Sequence, residues 1–564
     1  GVEVQSHGVM GTQSDIIIRG GTFQQILIIL DGIRLNDPLT GHFNSYIPIA
    51  PSEIDHIEIL KGASSAIYGT EAVGGVINVV TKSFSKKKMA NDATAQITTG
   101  AFGLINMNIG GTWQDEKNTV SGGIIRNHAN GHPQRGIDGF FDATTASASY
   151  SRKISNNIDL SYRTAYDERG FSAQNFYTTF SSDTAREYVK TFWNHIKVNY
   201  NKKNQKLSFD AGYKTISDWY QFNPKSVANE NKTNQFQSLL VYETNFSDKT
   251  TFIAGGQFLQ KNIQSNDRGN HSIPQAAVFA ILNQRIGNYF YINPALRYDW
   301  SERYGAELVP QLNMSFKKDN YQLRASAGKT IRDADFSERY NNYNKALVSS
   351  GRIGNPDLKA ERSLSYEIGG DYWCKGNVKF SATYFQRFQK DLIDWVTTPY
   401  NSMPRKDNLA PNGTYALAKN IAKVDINGVE TNIQYTKSWS NSSFTTMLGA
   451  TWINSKTDSA QPSFYLSSQA NLLLNYSIEY RWKAISLGVN GLYKRRDDIG
   501  SIAQPYLYWN PTYFLMNVKL KVTLKKKVGI FVQADNVGNV AYSDLLGNIM
   551  PSRWWMGGIE IHLH

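Results

Sequence analysis

The 564-residue chain alternates apolar and polar positions over most of its length, from about residue 90 onward. Apolar side chains occupy every second position in segments such as 207–213, 378–384, 444–452 and 518–524. Successive side chains of a strand point to opposite faces, so each segment predicts a strand with one apolar and one polar face. A soluble sandwich would show the same alternation, but a barrel with a hydrated lumen better accommodates so many unpartnered polar faces.

The first 83 residues have a different pattern, in which short apolar runs are separated by Gly, Asp, Asn and Pro. The runs are Ile16–Ile18, Ile26–Leu30, Ile57–Leu60 and Val76–Val80. Runs bounded by such turn residues predict the short strands of one compact unit. We assign residues 1–83 to this N-terminal unit and residues 84–564 to the barrel, with the change in composition falling within Ser83–Asp92.

The connections between the predicted strands are short polar turns or long irregular loops. Gln114–Thr119 and Asn441-Ser442 are short turns. The long loops are Arg126–Asp142, Gly170–Glu187, Trp219–Asn234, Trp395–Ala422 and Lys494–Pro511. This alternation is typical of outer-membrane barrels, whose long loops face outward. About 480 residues at roughly 22 per strand and connection predict about 22 antiparallel strands, a number associated with a plugged lumen.

Composition excludes a helical membrane protein and gives no support for a nucleic-acid partner. No run of 18 apolar residues exists, so a closed barrel is the remaining way for this chain to span a bilayer. Aromatic residues make up 13% of a chain whose mean hydropathy is −0.44, as expected of a barrel with a lipid face and a wet lumen. The net charge of +13 is scattered, and no nucleic-acid-binding motif accompanies it.

The candidate catalytic residues lack the spacing of a known active site. Neither a G-x-S-x-G elbow nor an H-E-x-x-H motif is present. His128, His132, His195 and His271 lie in or near expected loops and have no recognisable spacing, so we interpret them as solvated loop histidines. The single cysteine, Cys374, excludes an internal disulfide and a multi-cysteine metal site. We predict no catalytic residue, no metal site and no cofactor, while calcium in the loops is an alternative that the sequence leaves open.

Several strings between residues 18 and 82 occur in an order that is characteristic of one family. They are I-R-G (18–20), L-D-G (30–32), I-E-I-L-K-G (57–62), Y-G (68–69) and G-G-V-I-N-V-V-T-K (74–82). Together they resemble the plug domain of TonB-dependent outer-membrane receptors. Segments 328–340, 354–361 and 532–564 resemble elements of the barrel in that family, although Ala334 stands where the family often has proline.

The resemblance implies an all-β membrane protein, in which a transmembrane barrel of about 22 antiparallel strands encloses the plug. It places the chain among outer-membrane lipids of a Gram-negative bacterium. It also implies import energised by a TonB–ExbB–ExbD complex. The motif that contacts TonB is expected upstream of Gly1, and the closing aromatic residue of the family is expected after His564.

Four charged residues match positions that hold the plug in this family. The resemblance implies that Arg19 and Lys61 of the plug face Glu361 and Glu430 on the inner barrel wall. An enclosed charge must be paired or solvated, so such pairs would lock the plug in place and mark where it releases. The alternative is that these are independent surface charges.

The plug loops Gly21–Gln25 and Asn36–Tyr46 are expected to project outward from the apex. Their strings R-G-G-T-F-Q-Q and D-P-L-T-G-H-F-N resemble those of vitamin B12 (cobalamin) transporters of the Bacteroidetes type. The candidate substrate-binding residues offer either flat apolar contact or hydrogen bonds, the mixture that a corrinoid needs. They are Phe23, Phe43 and Tyr46 for apolar contact, and Gln24, Thr40, His42 and Asn44 for hydrogen bonds.

Other interpretations of the apex and of the whole chain stay open. The seven residues could simply shape turns, and the aromatics would serve a ferric siderophore equally well. Haem fits less well, because no histidine lies between Gly328 and Glu361, where the family resemblance would put one. A non-transporting surface receptor or adhesin would also use long loops. The Bacteroidetes resemblance implies that the Gram-negative outer membrane is a Bacteroidetes-like one. It further suggests a surface lipoprotein that captures ligand and closes over the loops.

Overall fold

The structure is a computed structural model, and it describes residues 1–8, 11–62, 65–85, 87, 90–411, 413–457, 468–498, 508–545 and 549–563. Among these residues, no helix combines the length and the apolar character needed to cross a membrane. The chain forms two nested β units, in which a small N-terminal plug fills a large barrel.

The plug contains a hairpin and a four-stranded sheet. Its elements are β1 (Val2–Ser6), β2 (Ser14–Ile18), β3 (Ile26–Leu30), β4 (Ile33–Arg34), β5 (Ile54–Lys61), α1 (Ser65–Tyr68) and β6 (Gly75–Thr81), with 3-10 helices at Phe23–Gln25, Gly41–Ser45 and Pro51–Glu53. Strands β1 and β2 pair with each other, and the larger sheet has the order β4-β3-β6-β5. The four apolar runs of the sequence lie within β2, β3, β5 and β6. Strand β3 is buried along its whole length.

The barrel begins after the plug sheet ends at Thr81. Its elements are β7 (Asp92–Gly100), β8 (Leu104–Gln114), β9 (Asn118–Ala129), β10 (Phe141–Lys153), β11 (Ile158–Ser172), β12 (Arg186–Lys202), β13 (Gln205–Gln221), β14 (Asn229–Ser247), β15 (Thr250–Ser265), β16 (His271–Ile286), β17 (Phe290–Ser301), β18 (Gly305–Lys318), β19 (Tyr321–Arg332), α2 (Phe336–Tyr340), β20 (Gly351–Ile353), β21 (Glu361–Cys374), β22 (Val378–Pro399), β23 (Thr414–Ser438), β24 (Ser442–Thr457), β25 (Leu472–Trp482), β26 (Ile485–Arg495), β27 (Thr512–Leu524), β28 (Val528–Asp535) and β29 (Trp554–Leu563), with 3-10 turns at Ala101–Gly103 and Tyr400–Ser402.

Within the described part of the chain, 22 antiparallel strands close the barrel, and the short β20 adds a parallel pairing to β23. Closure occurs where β29 pairs with β7, from Met556 opposite Gly100 to Leu563 opposite Ala93. The ring has no free edge, so its backbone hydrogen-bonding groups are paired around the whole circumference. The predicted fold class and the predicted strand number are confirmed.

The two-residue alternation separates the outer and inner faces of the wall. In β13, Leu207, Phe209 and Tyr213 are 39–44% exposed on the outer surface. Ser208 and Asp210 between them are buried toward the plug. The apolar face therefore points outward, as a lipid face must, while the polar face lines the lumen.

The strands extend further than the sequence pattern predicts. β22 runs to Pro399 and β23 starts at Thr414, so much of the expected loop Trp395–Ala422 is paired strand. Pairing satisfies the backbone polar groups beyond the apolar band, which is why the ladder continues there. The interpretation of His195 as a loop residue is also wrong, because it lies buried within β12 and contacts Asp210 at 2.8 Å.

Plug and wall meet in apolar clusters and in enclosed ion pairs. Ile28 and Leu30 of the plug pack in one cluster with Trp193 of β12. Nearby, the guanidinium of Arg163 in β11 donates to Glu53 at 2.9 Å and to Thr81 at 2.7 Å. Arg163 and Glu53 are fully buried. A cation on the wall thus holds the end of the plug sheet.

Arg163→Met should lower the local stability of the plug without disrupting the barrel. The change leaves the Glu53 carboxylate enclosed with no cation, and breaking a buried pair in this way costs about 3–5 kcal/mol. Hydrogen exchange of the plug amides in the purified, detergent-solubilised protein measures this local stability. Arg126→Met is the matched control, because the Arg126–Asp142 pair of 2.7 Å is exposed and should contribute about 1 kcal/mol or less. Equal hydrogen-exchange protection of the plug amides in both variants would show that Arg163 does not hold the plug.

Candidate functional site

The apex of the plug consists of two 3-10 helices, Phe23–Gln25 and Gly41–Ser45, which contact each other. Thr40 precedes the second helix, and its hydroxyl accepts a hydrogen bond from the His42 backbone N–H at 3.3 Å. The seven candidate substrate-binding residues therefore come together at one place. Six of them are buried, and Thr40 alone among the seven is half-buried. The sequence predicts apex loops that project outward, whereas the structure encloses them.

Aromatic residues of the barrel cover the apex. Phe43 stacks on Tyr46 with ring centroids 5.4 Å apart. The Tyr46 ring meets the edge of Phe171 at 6.4 Å, and the Arg169 guanidinium lies 4.0 Å above it. Phe336 belongs to the same apolar cluster. Apolar side chains on both partners are removed from water by this contact, which explains why the apex is closed.

The amide side chains of the apex bind neighbouring groups of the protein. Asn44 accepts from the Asp37 backbone N–H at 3.3 Å and donates to the Phe23 carbonyl at 3.4 Å. Gln24 donates to Glu338 of α2 at 3.5 Å. Two cavities adjoin the apex, and each has a volume of about 20 Å³, which suits one water molecule. A nutrient-sized ligand needs the barrel segments that hold Phe171, Phe176 and Phe336, the covering segments, to move.

His42 belongs to a buried polar cluster beneath the apex. Its Nδ1 lies 2.8 Å from one Asp15 oxygen, and the other Asp15 oxygen lies 3.0 Å from His7 Nε2. Burial alone would raise the pKa of Asp15, but the two imidazoles lower it well below its usual range. Burial lowers the pKa of His42 more than Asp15 raises it. Asp15 is therefore ionised and His42 neutral near pH 7.

The lock residues Arg19, Lys61 and Glu430 lie together at the plug–wall boundary. Arg19 donates to Glu430 at 3.1 Å and to Glu367 at 2.6 Å, and the Lys61 ammonium contacts the other Glu430 oxygen. Gly62 has a φ of +79°, and a Cβ there would overlap the Glu367 carboxylate. The glycine of the K-G string thus lets a wall carboxylate approach Arg19.

The sequence predicts that Glu361 contacts Arg19 or Lys61, but in the structure it pairs with neither of them. It is the cross-strand neighbour of Arg332, and their side chains form an ion pair of 2.6 Å. Glu361 instead reaches the plug through Gln25, whose amide donates to it at 2.8 Å. Arg332 pairs with the Glu361 carboxylate because strand pairing places the two side chains next to each other.

Several site residues are absent from the sequence-based set. They are His7, Asp15, Gln25, Arg332, Glu338 and Glu367. Arg332 and Glu338 belong to the 328–340 segment, so the family resemblance had marked that segment without assigning them a contact. Gln25 likewise ends the marked loop Gly21–Gln25. For His7, Asp15 and Glu367, the sequence offers no spacing signal.

Comparison with known proteins identifies the class. Residues 88–537 match the family model described as "TonB dependent receptor-like, beta-barrel". Residues 1–76 match the "TonB-dependent Receptor Plug Domain". The chain belongs to the TonB-dependent receptor family. Membership implies the Gram-negative outer membrane and places the chain among transporters and receptors, which are not enzymes.

At the sequence level, the chain is similar to vitamin B12 transporters of Vibrio. It is 24% identical over 431 residues to vitamin B12 transporter BtuB of Vibrio cholerae serotype O1, strain O395, a match that covers 71% of this chain and 65% of that protein. With BtuB of Vibrio vulnificus, strain CMCP6, it is 23% identical over 403 residues, which cover 65% of this chain and 60% of that protein. The chain thus spans a little under two thirds of the length of these relatives. They do not support the Bacteroidetes-like origin that the sequence analysis inferred.

The fold is also similar to that of solved receptors. The siderophore receptor PirA from Pseudomonas aeruginosa superimposes with a TM-score of 0.74 at 16% identity. The match covers 97% of this chain and 93% of that structure. At this identity, the likeness concerns the architecture of plug and barrel and carries no information about the ligand.

Glu430→Gln should release the lock while leaving the barrel intact. The neutral amide cannot form ion pairs with Arg19 and Lys61. We therefore expect the local stability of the plug to fall by about 3 kcal/mol. This value is at the low end for a broken buried pair because Lys61 is partly exposed. Hydrogen exchange in β2 and β5 is the measurement. Glu479→Gln is the control, since its 2.9 Å pair with Arg481 is exposed. Unchanged exchange in the Glu430 variant would show that these ion pairs do not hold the plug.

Proposed function

We propose that this protein imports vitamin B12 or a related corrinoid across the outer membrane, energised by a TonB–ExbB–ExbD complex. The observation that carries the proposal is the similarity over 431 residues to vitamin B12 transporters. The apex strings of residues 19–25 and 37–44 support it, because they resemble that subfamily more than siderophore receptors. The Bacteroidetes type of transporter is part of this proposal and rests on those strings alone.

Ligand binding begins at the covered apex. A corrinoid arriving from outside displaces aromatic residues of the covering segments, among them Phe171 and Phe336, from the plug. Phe43 and Tyr46 then offer a flat apolar contact, while Gln24 and Asn44 exchange their present partners for ligand amides. The bound ligand touches the plug itself, so movement of the plug can release it.

Release of the ligand requires the plug to leave its seat. A pull from the periplasmic side has to separate Arg19 and Lys61 from Glu430. Each of these groups is charged, so water can replace the lost partner as the interface opens. The ion pairs therefore hold the plug firmly while the lumen is closed and weaken once water enters. A non-transporting surface receptor would have no use for such a gate.

Phe43→Ala combined with Asn44→Ala should weaken the binding of cyanocobalamin at least tenfold. Losing one hydrogen bond costs about 0.5–1.5 kcal/mol, and losing the apolar contact of a phenyl ring adds about 1.5–3 kcal/mol. Equilibrium dialysis of the purified, detergent-solubilised protein against cyanocobalamin measures the affinity. Competition with a ferric siderophore is measured in parallel.

The matched control is Phe246→Ala combined with Asn245→Ala. It removes the same two side chains at an exposed position at the end of β14, and it should leave the affinity unchanged. The proposal is supported if the unsubstituted protein binds cobalamin saturably, the apex variant loses this binding and the control variant keeps it. Tight binding of a ferric chelate without cobalamin binding would overturn it in favour of siderophore import.

A surface lipoprotein that closes over the loops is a further part of the proposal. Such a partner would stabilise a ligand held between the apex and the displaced covering segments. Purification of the receptor from its native membrane in mild detergent should recover an extracellular lipoprotein in a defined ratio. Recovery of the receptor alone, at ligand saturation, would argue against this partner.

A further inference from the structure

Three buried side chains from separate parts of the plug converge below the apex. His7 follows β1, Asp15 lies in β2, and His42 lies in the 3-10 helix Gly41–Ser45. Their nitrogen and oxygen atoms all lie within 4.8 Å of one another. The exposed fractions of the three residues are 4%, 3% and 8%. Two imidazoles and one carboxylate thus face each other in a place from which bulk water is excluded.

The donor set has the chemistry of a transition-metal site. Imidazole nitrogen is a good ligand for zinc, copper, nickel and iron, and a carboxylate oxygen completes sets of two histidines and one acid. Hard ions such as calcium prefer six or more oxygen ligands. The cluster therefore favours a first-row divalent transition metal.

The surroundings leave space for one further ligand. The cavity of about 20 Å³ at the apex is lined by His7, Asp15 and His42, and by Thr22 and Phe23. That volume holds a single water molecule. Three protein ligands and one water would give the four-coordinate arrangement that zinc prefers.

The histidine rings are held in place by neighbouring aromatic side chains. The His42 ring stacks on Phe23 with centroids 3.9 Å apart, and the His7 ring lies 5.2 Å from Phe176 of the covering segment. The two imidazoles lie nearly perpendicular, at 88°. Packing that fixes ligand rings before a metal arrives reduces the ordering needed on binding.

We propose that His7, Asp15 and His42 bind a divalent transition-metal ion of the zinc class and thereby fasten the β1–β2 hairpin to the apex. Binding replaces the two imidazole–carboxylate hydrogen bonds with three bonds to the metal. Each imidazole then binds the metal through the nitrogen that now faces Asp15 and carries its ring proton on the other nitrogen, and no oxidation is involved. His42 is shared with the candidate substrate-binding set, but the metal proposal does not depend on the corrinoid import proposed above.

Zinc binding by the intact protein tests the proposal. The full chain is purified without a polyhistidine tag, stripped with chelator and dialysed against Zn²⁺ alone. We expect one ion per chain at a site that His42→Ala and Asp15→Asn each weaken at least tenfold. Co²⁺ in place of Zn²⁺ should give visible absorption bands in the unsubstituted protein and not in the variants. Migration of unheated protein in gel electrophoresis reports whether each variant keeps a folded barrel.

His195→Ala is the matched control, because His195 is also buried against an aspartate, Asp210, but has a single imidazole in its pair. It should bind zinc as the unsubstituted protein does. Absence of zinc binding by the unsubstituted protein would overturn the proposal and leave the cluster as a hydrogen-bonded brace. Equal binding by folded His42→Ala would also overturn it. Neither result depends on cobalamin, so the two proposals can fail separately.

Discussion

The pairing of charges between plug and wall is the constraint on which the rest of this structure depends. The plug occupies a lumen lined by the polar face of every strand, so its surface has to carry charges that match those of the wall. Ion pairs across the boundary join Glu3 to Lys494 at 2.6 Å, Glu71 to Lys261 at 3.3 Å and Asp37 to Lys214 at 3.4 Å. Burial would raise the pKa of Glu71, yet Arg34 and Lys261 lower it below its usual range. An enclosed ion pair contributes little net stability, but removing one partner is costly. Such pairs therefore fix where the plug lies inside the barrel.

Much of the fold follows from the sequence because the barrel repeats one simple rule. Alternation with a period of two gives the strands and their faces, and chain length divided by the length of a strand and its turn gives their number. Strand ends are less predictable, as Pro399 and Thr414 show, because pairing with a neighbour extends a strand past its apolar band. The partner of Glu361 was missed for a related reason. Its neighbour, Arg332, is set by the register of β19 and β21, and no local pattern in the sequence encodes that register.

The candidate binding residues lie together at the apex, but their burial could not be predicted from the sequence. Burial depends on distant segments, since Phe171 and Phe336 lie far along the chain from the apex they cover. The His7–Asp15–His42 cluster also depends on tertiary structure, because three separate elements must fold together before these side chains meet. A ligand that binds this apex has to replace contacts the residues already make. Its affinity therefore reflects a difference between two sets of contacts, and only the surplus appears as binding free energy.

Strand β2 is the physical connection between the apex and the lock. Asp15 lies in this strand and contacts His42 of the apex, while Arg19 follows the strand directly and contacts Glu430 of the wall. Arg19 has a φ of +51°, an uncommon conformation for a residue with a side chain, so its backbone is held in place by its surroundings. Ile18, between the two charged positions, is fully buried in the plug core. A short stretch of packed backbone, from Asp15 to Arg19, therefore joins the apex contact to the lock contact. Both ends of this segment are tied by contacts to charged groups, so the position of the strand is fixed by the apex on one side and by the barrel wall on the other.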